Sequence, residues 1–125
     1  MRLIERLAIP KTAAVIDIGG RTSVLADELV ERGFRDLSVL DVSKTALVQL
    51  QQRLSARTSV SLLHQDLLAW KPERTHDLWH DRAMFHFLVD RIDREIYLRT
   101  LRWAVRTGGV AITFISRLLD HELTP

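Results

Sequence analysis

The feature that most constrains this chain is a short apolar run closed by paired glycines, followed one helical segment later by a second apolar run closed by an acid. Ala13-Ala14-Val15-Ile16-Asp17-Ile18 reads as a buried strand, and Gly19-Gly20 stops it. Thr22 or Ser23 can cap a helix whose apolar positions are Leu25, Ala26, Leu29 and Val30, and Gly33 is a natural stop at its end. Leu37-Ser38-Val39-Leu40-Asp41 is the second strand, with Asp41 falling 22 residues after Gly19. Strands buried on both faces usually pair in parallel, and parallel neighbours need a crossover, most often a helix.

The alternation continues along the chain. Ser43 caps a second helix with Ala46, Leu47, Leu50 and Leu54 on its apolar face. Val60-Ser61-Leu62-Leu63 is a third strand, Asp66 to Trp70 is a single turn ended by Pro72, and His76-Asp77-Leu78-Trp79-His80 is a fourth strand. Asp90 opens a long helix with Asp93 three residues on, and Tyr97, Leu101, Ala104 and Val105 line one face. Gly108-Gly109 breaks that helix before a fifth strand, Val110-Ala111-Ile112-Thr113-Phe114-Ile115. Strands alternating with helices predict an α/β fold: a mainly parallel sheet with helices on both faces. Ligands of such folds lie beyond the carboxyl ends of the strands, near the point where strand order reverses.

A length of 125 residues suits one domain, 1–125, able to bury roughly two thirds of its unfolded surface. The absence of cysteine excludes disulfides, thiolate zinc sites and a cysteine nucleophile. The charged start Met1-Arg2-Leu3-Ile4-Glu5-Arg6 does not read as a signal peptide, and no apolar run approaches the ~20 residues of a membrane span, so a cytoplasmic location without a membrane partner is expected. The formal net charge is only +2 and the basic residues are scattered, which argues against a nucleic-acid partner.

Four segments carry chemistry. Asp17-Ile18-Gly19-Gly20-Arg21-Thr22-Ser23 places glycines between a strand and a helix, where backbone can approach a ligand and a helix start offers unpaired N–H groups; a plain structural turn would look the same. Asp41 can accept hydrogen bonds from ribose hydroxyls, or can support the start of the second helix. Strand, glycine turn, helix, strand and acid in that order are more specific than any one of them and point to a nucleoside-containing ligand. Asp66 can take an exocyclic adenine amine or cap its own turn. Trp79-His80-Asp81-Arg82-Ala83-Met84-Phe85-His86-Phe87 gathers aromatic, titratable and charged groups after the fourth strand; His80 and His86 lack a convincing set of metal partners, and no metal is expected.

Together these residues resemble the class I, S-adenosylmethionine-dependent methyltransferases. In that family an acid and a glycine turn follow strand one, an acid ends strand two and a further Asp often follows strand three; here these are Asp17 with Gly19 and Gly20, then Asp41, then Asp66. The stretch from His76 to Leu88 looks like a bacterial subgroup acting on small molecules or proteins, and Arg106-Thr107-Gly108-Gly109 resembles the Arg-Pro-Gly-Gly turn before strand five. The resemblance implies a three-layer Rossmann-like sandwich with strand order 3-2-1-4-5. It implies S-adenosylmethionine as cofactor, with Gly19 and Gly20 beside its methionine part and Asp17 organising its amino group. Asp41 would hold the ribose with Val42 alongside, and Asp66 and Leu67 the adenine. His80, Asp81 and Phe85 would sit near the sulfonium and the methyl acceptor, which makes them the candidate catalytic residues.

Two departures bear on activity. Arg21 stands where the family usually has glycine, which is expected to weaken cofactor affinity. About ten residues follow the fifth strand, too few for the usual strands six and seven, so a homodimer across the open strand-five edge is expected. The functional expectation is methyl transfer to a small molecule or protein. A non-catalytic, degenerate binding or assembly subunit is the alternative, and a nicotinamide-dependent reductase is a third reading that the stretch after strand four disfavours.

Overall fold

A computed structural model describes residues 8–19, 25–54, 60–81 and 88–113. In these residues strands and helices alternate as β1 (Ala14–Ile18), α1 (Leu25–Glu31), β2 (Asp36–Asp41), α2 (Lys44–Leu54), β3 (Ser61–His64), β4 (His76–Asp81), α3 (Arg91–Ala104) and β5 (Val105–Thr113). The strands form one sheet in the order β3-β2-β1-β4-β5, and every neighbouring pair is parallel. The parallel sheet is what strand–helix alternation predicts, and its order is the one the family resemblance implies.

Successive side chains of a strand point to opposite faces, so an all-apolar strand needs cover on both sides. Val15, Leu37 and Leu78 pack with Leu25, Leu29 and Phe34, and Val39 packs with Ala26, Leu47, Leu50 and Leu54. That face is covered by α1 and α2. Ile16, Ile18, Leu40 and Trp79 pack with Tyr97, Leu101 and Ala104 of α3 on the other. The result is three layers around a central sheet. Among the described residues no helix is long and apolar enough to cross a membrane.

Local chemistry sets most boundaries. Helix α1 closes at Gly33, whose N–H reaches Val30 O while that of Phe34 reaches Leu29 O, each at 3.0 Å. Ser43 Oγ accepts the Ala46 N–H (3.2 Å) at the start of α2, and the Asp90 side chain accepts the Ile92 N–H (2.8 Å) at the start of α3. Thr22 and Ser23, named as caps of the first helix, lie outside the described residues, as do Phe114 and Ile115.

Several boundaries differ from the sequence reading: β1 begins at Ala14, β2 begins at Asp36 and β4 ends at Asp81, each one residue from the expected bound. Strand β3 begins at Ser61 and runs to His64, one residue later than expected. Helix α3 ends at Ala104: the Val105 N–H still bonds Leu101 O, but Val105 is already extended (φ −109°, ψ 125°) and pairs with His76. Gly108-Gly109 therefore interrupts the fifth strand and not the helix. Pairing passes from Val105–His76 to Val110–Leu78, with the intervening residues folded back on themselves. That fold needs a residue without a side chain, because a Cβ on Gly109 would lie 2.6 Å from Val105 Cγ1 and 2.9 Å from the carbonyl oxygens of Arg106 and Asp77.

Candidate functional site

From β1 the chain moves to β2 on one side and later to β4 on the other, so strand order reverses between β1 and β4. The carboxyl ends of β1, β2 and β4 carry Asp17, Asp41, His80 and Asp81. In the parallel register Asp17 lies opposite His80, and Ile18 opposite Asp81. By alternation Asp17 and His80 share the face of Val15 and Leu78, and Asp41 shares the face of Val39, all covered by α1 and α2. Asp81 takes the other face, with Trp79 and α3.

Asp17 is 3% exposed. Its Oδ1 accepts a hydrogen bond from His80 Nδ1 at 3.0 Å, while Oδ2 is buried without a partner among the described residues. Because a carboxylate can only accept, Nδ1 carries the proton. The chain then turns at Gly19, whose φ of +63° belongs to the left-handed region that glycine enters without steric cost. The Gly19 N–H is held by Leu40 O at 2.7 Å, and no atom of the described residues beyond its chain neighbours lies within 4 Å on its Cβ side. The β1 turn is thereby fixed to the end of β2. Gly20 and Arg21 lie outside the described residues.

Asp41 is 4% exposed, and its Oδ1 accepts the Ser43 N–H at 2.8 Å. This carboxylate supports the turn into α2, while Ser43 itself caps the helix. Its carbonyl accepts the Gln65 N–H (3.1 Å), and His64 Nε2 lies 3.0 Å from Val42 O, so the segment after β3 is tied to the end of β2. Val42 is 60% exposed, an apolar side chain presented to solvent beside a buried acid. Asp66 is exposed and accepts the Leu68 N–H (3.0 Å), stabilising its own turn. Leu67 is fully buried in the core that contains Ile18 and Leu40, which makes it a support beneath the strand ends and not a contact surface.

On the opposite face a buried polar chain holds Asp81. Trp79 Nε1 donates to Tyr97 Oη at 3.1 Å, and Tyr97 Oη donates to Asp81 Oδ2. The two rings meet edge to face with centroids 5.7 Å apart. Burial, reinforced by the charge and hydrogen bond of Asp81, pushes the Tyr97 hydroxyl far above its ordinary range, so it acts only as a neutral donor. Sequence periodicity places Tyr97 correctly on the buried face of α3 but assigns it no polar role. Phe85 and His86 lie outside the described residues, and among the described residues no three acidic or histidine side chains come together to hold a metal.

No model of a protein family matches the chain, and no curated protein does. Solved structures do. A S-adenosylmethionine-dependent methyltransferase from Clostridium acetobutylicum ATCC 824 superposes with a TM-score of 0.79 at 20% identity, covering 94% of this chain and 51% of that one. The glycopeptide N-methyltransferase MtfA, solved with S-adenosylmethionine, gives 0.75 at 18% identity over 90% of this chain and 50% of that one. The N-methyltransferase NodS from Bradyrhizobium japonicum WM9, solved with S-adenosylhomocysteine, gives 0.72 at 19% identity over 82% and 52%. The fold is that of the class I methyltransferases. The chain spans about half the length of these structures.

Proposed function

We propose that this domain binds S-adenosylmethionine and supports methyl transfer to a small-molecule or protein acceptor. One observation carries the reading: two buried carboxylates, Asp17 and Asp41, lie at the carboxyl ends of the adjacent parallel strands β1 and β2, with β1 bordering the strand-order reversal and its glycine turn pinned to β2. The residues fit such a ligand. Asp17 Oδ2, without a partner among the described residues, needs a donor, which the amino group of a methionine moiety offers. Among the described residues nothing beyond its chain neighbours lies within 4 Å on the Cβ side of Gly19, which suits a ligand close to backbone. Asp41 offers a carboxylate to ribose hydroxyls, and exposed Val42 an apolar surface to a base. Asp66 lies next in this row and would meet the exocyclic amine.

When bound, S-adenosylmethionine supplies an electrophilic methyl carbon on a sulfonium. The work left to this chain is to hold the ligand and the acceptor in line and to exclude water. The neighbours whose names state an acceptor or reaction include N-methyltransferases, one of them acting on a glycopeptide, which supports an amine as acceptor class.

Thermal unfolding with S-adenosylmethionine, S-adenosylhomocysteine and NAD tests the reading. Ligand at 100 times its Kd should add about 2.7 kcal/mol of stability. A shift with the first two alone is expected. A shift with NAD alone, or with none of the three, refutes the proposal, and binding without turnover in an acceptor screen points to a non-catalytic binding subunit.

A further inference from the structure

We propose that His80 is a positioning residue that orients the Asp17 carboxylate, and that through this pair the site selects ligands bearing an amino-acid moiety. The inference rests on the cofactor reading and adds a role for a side chain that need not touch the cofactor itself.

The pairing is built into the sheet. Asp17 and His80 are direct register partners on adjacent parallel strands and point to the same face, so rigid backbone on both sides presets their distance. The His80 Nδ1–H holds Asp17 Oδ1 at 3.0 Å, with the two side chains 20% and 5% exposed. A carboxylate held by one oxygen cannot turn freely about its terminal bond. The other oxygen, Oδ2, is then kept as a buried acceptor without a donor among the described residues, and no lysine or arginine there forms an ion pair with Asp17. A buried carboxylate in this state is stabilised by an incoming cationic N–H donor more than by any neutral group. An α-ammonium group has that chemistry. The ribose and base, in contrast, are read at Asp41 and beyond, on the far side of Gly19.

Removing the His80 donor should therefore weaken binding of the amino-acid part alone. The test compares S-adenosylhomocysteine with 5′-methylthioadenosine, which keeps the nucleoside and the sulfur and lacks the amino-acid group, by calorimetric titration of the whole chain. In His80→Leu the first should bind about tenfold more weakly, while the second changes by less than about twofold. His80→Asn, which keeps an N–H donor near the Nδ1 position, should restore most of the loss. His80→Phe keeps the ring volume without the donor and replaces the leucine variant if that variant does not fold. Long-range nitrogen–proton NMR on the unliganded protein should show His80 protonated at Nδ1, and Asp17→Asn should perturb that signal. Equal losses for both ligands in His80→Leu, no rescue by His80→Asn, or an Nδ1 found without a proton overturns this inference and leaves the cofactor reading standing. A parent protein that binds neither compound overturns the cofactor reading, and this inference with it.

Discussion

Replacing Tyr97 with Phe removes one oxygen from the centre of the molecule, and the structure says what that oxygen does. Tyr97 is fully buried and its Oη serves two partners, accepting from Trp79 Nε1 and donating to Asp81 Oδ2. Phenylalanine fills nearly the same volume, so the packing of α3 against β4 survives. What is lost is polar satisfaction. The Trp79 N–H is left without its acceptor in a site closed to water, at about 1–3 kcal/mol. The buried Asp81 carboxylate loses a charge-assisted donor worth about 1.5–3 kcal/mol. Asp81 has further interactions that can absorb part of this, and bonds sharing one atom do not add fully. The expected net loss is about 3 kcal/mol, which lowers Tm by roughly 10 °C in a domain of this size. Urea unfolding followed by far-ultraviolet circular dichroism measures it, and an unchanged m-value would show that the folded state stays compact.

The same hydroxyl gives a second signature. Its folded pKa is raised, first by burial and then by Asp81, so above about pH 10 the unfolded chain releases a proton that the folded chain keeps. Stability from this group is complete below pH 10 and falls as pH rises beyond it. The parent should show that alkaline fall and Tyr97→Phe should lack this contribution. A variant within about 0.5 kcal/mol of the parent at neutral pH, with an identical alkaline limb, would refute the polar chain as a source of stability.

Two further outcomes follow from the far end of the sheet. Gly109→Ala forces a Cβ against two backbone oxygens and Val105, and should cost about 1–3 kcal/mol in urea unfolding; a neutral result would mean that the fold-back before Val110 is not tightly closed. His76 is buried, and its Nδ1 lies 3.2 Å from Ala104 O, so that nitrogen donates and the buried Nε2 keeps a lone pair without a partner among the described residues. Burial, outweighing that hydrogen bond and aided by Arg74, holds its pKa below the ordinary 6.5. The unfolded chain therefore takes up a proton that the folded chain refuses, so stability is complete above about pH 6.5 and falls below it by at most ~1.4 kcal/mol per pH unit. Unfolding measured from pH 7.5 to 5 should show this fall and His76→Phe should flatten it; equal curves would discount His76.

What the sequence made legible was local. A buried strand closed by glycine, and another closed by an acid, can each be recognised within a few residues, and together they locate Asp17, Gly19 and Asp41 at the strand ends where the structure has them. What stayed hidden needed partners from elsewhere in the chain. The Asp17–His80 pair joins residues 63 apart, and only the β1–β4 register brings them opposite. Tyr97 looks apolar to a periodicity argument, because such an argument detects burial and is blind to what a hydroxyl bonds. Val105 fits the helical spacing from Leu101 as well as a β-branched strand start, so pattern alone could not settle that boundary. Leu67 followed an acid in the expected place, but the turn at Asp66 sends it into the core.

Strand alternation also divides the two candidate catalytic residues that are described. His80 and Asp81 are adjacent in sequence, yet neighbours on a strand face opposite sides of the sheet. His80 joins Asp17 on the face of α1 and α2, while Asp81 joins Trp79 and Tyr97 on the face of α3. They cannot serve as one acid–base pair. Asp81 accepts a hydrogen bond from the buried Tyr97 hydroxyl, which ties the end of β4 to α3. His80 is partly open to solvent, with its Nδ1 committed to Asp17. A shift of one residue in the β1–β4 register would exchange these environments, placing Asp17 opposite the α3-facing position of β4 and leaving its buried carboxylate without the histidine. The pairing of Val15 with Leu78 on one face and of Ile16 with Trp79 on the other opposes that shift, because it would turn the shifted strand's core residues toward the wrong layer. The packing that stabilises the sheet is thus also what fixes which polar groups meet at its carboxyl edge.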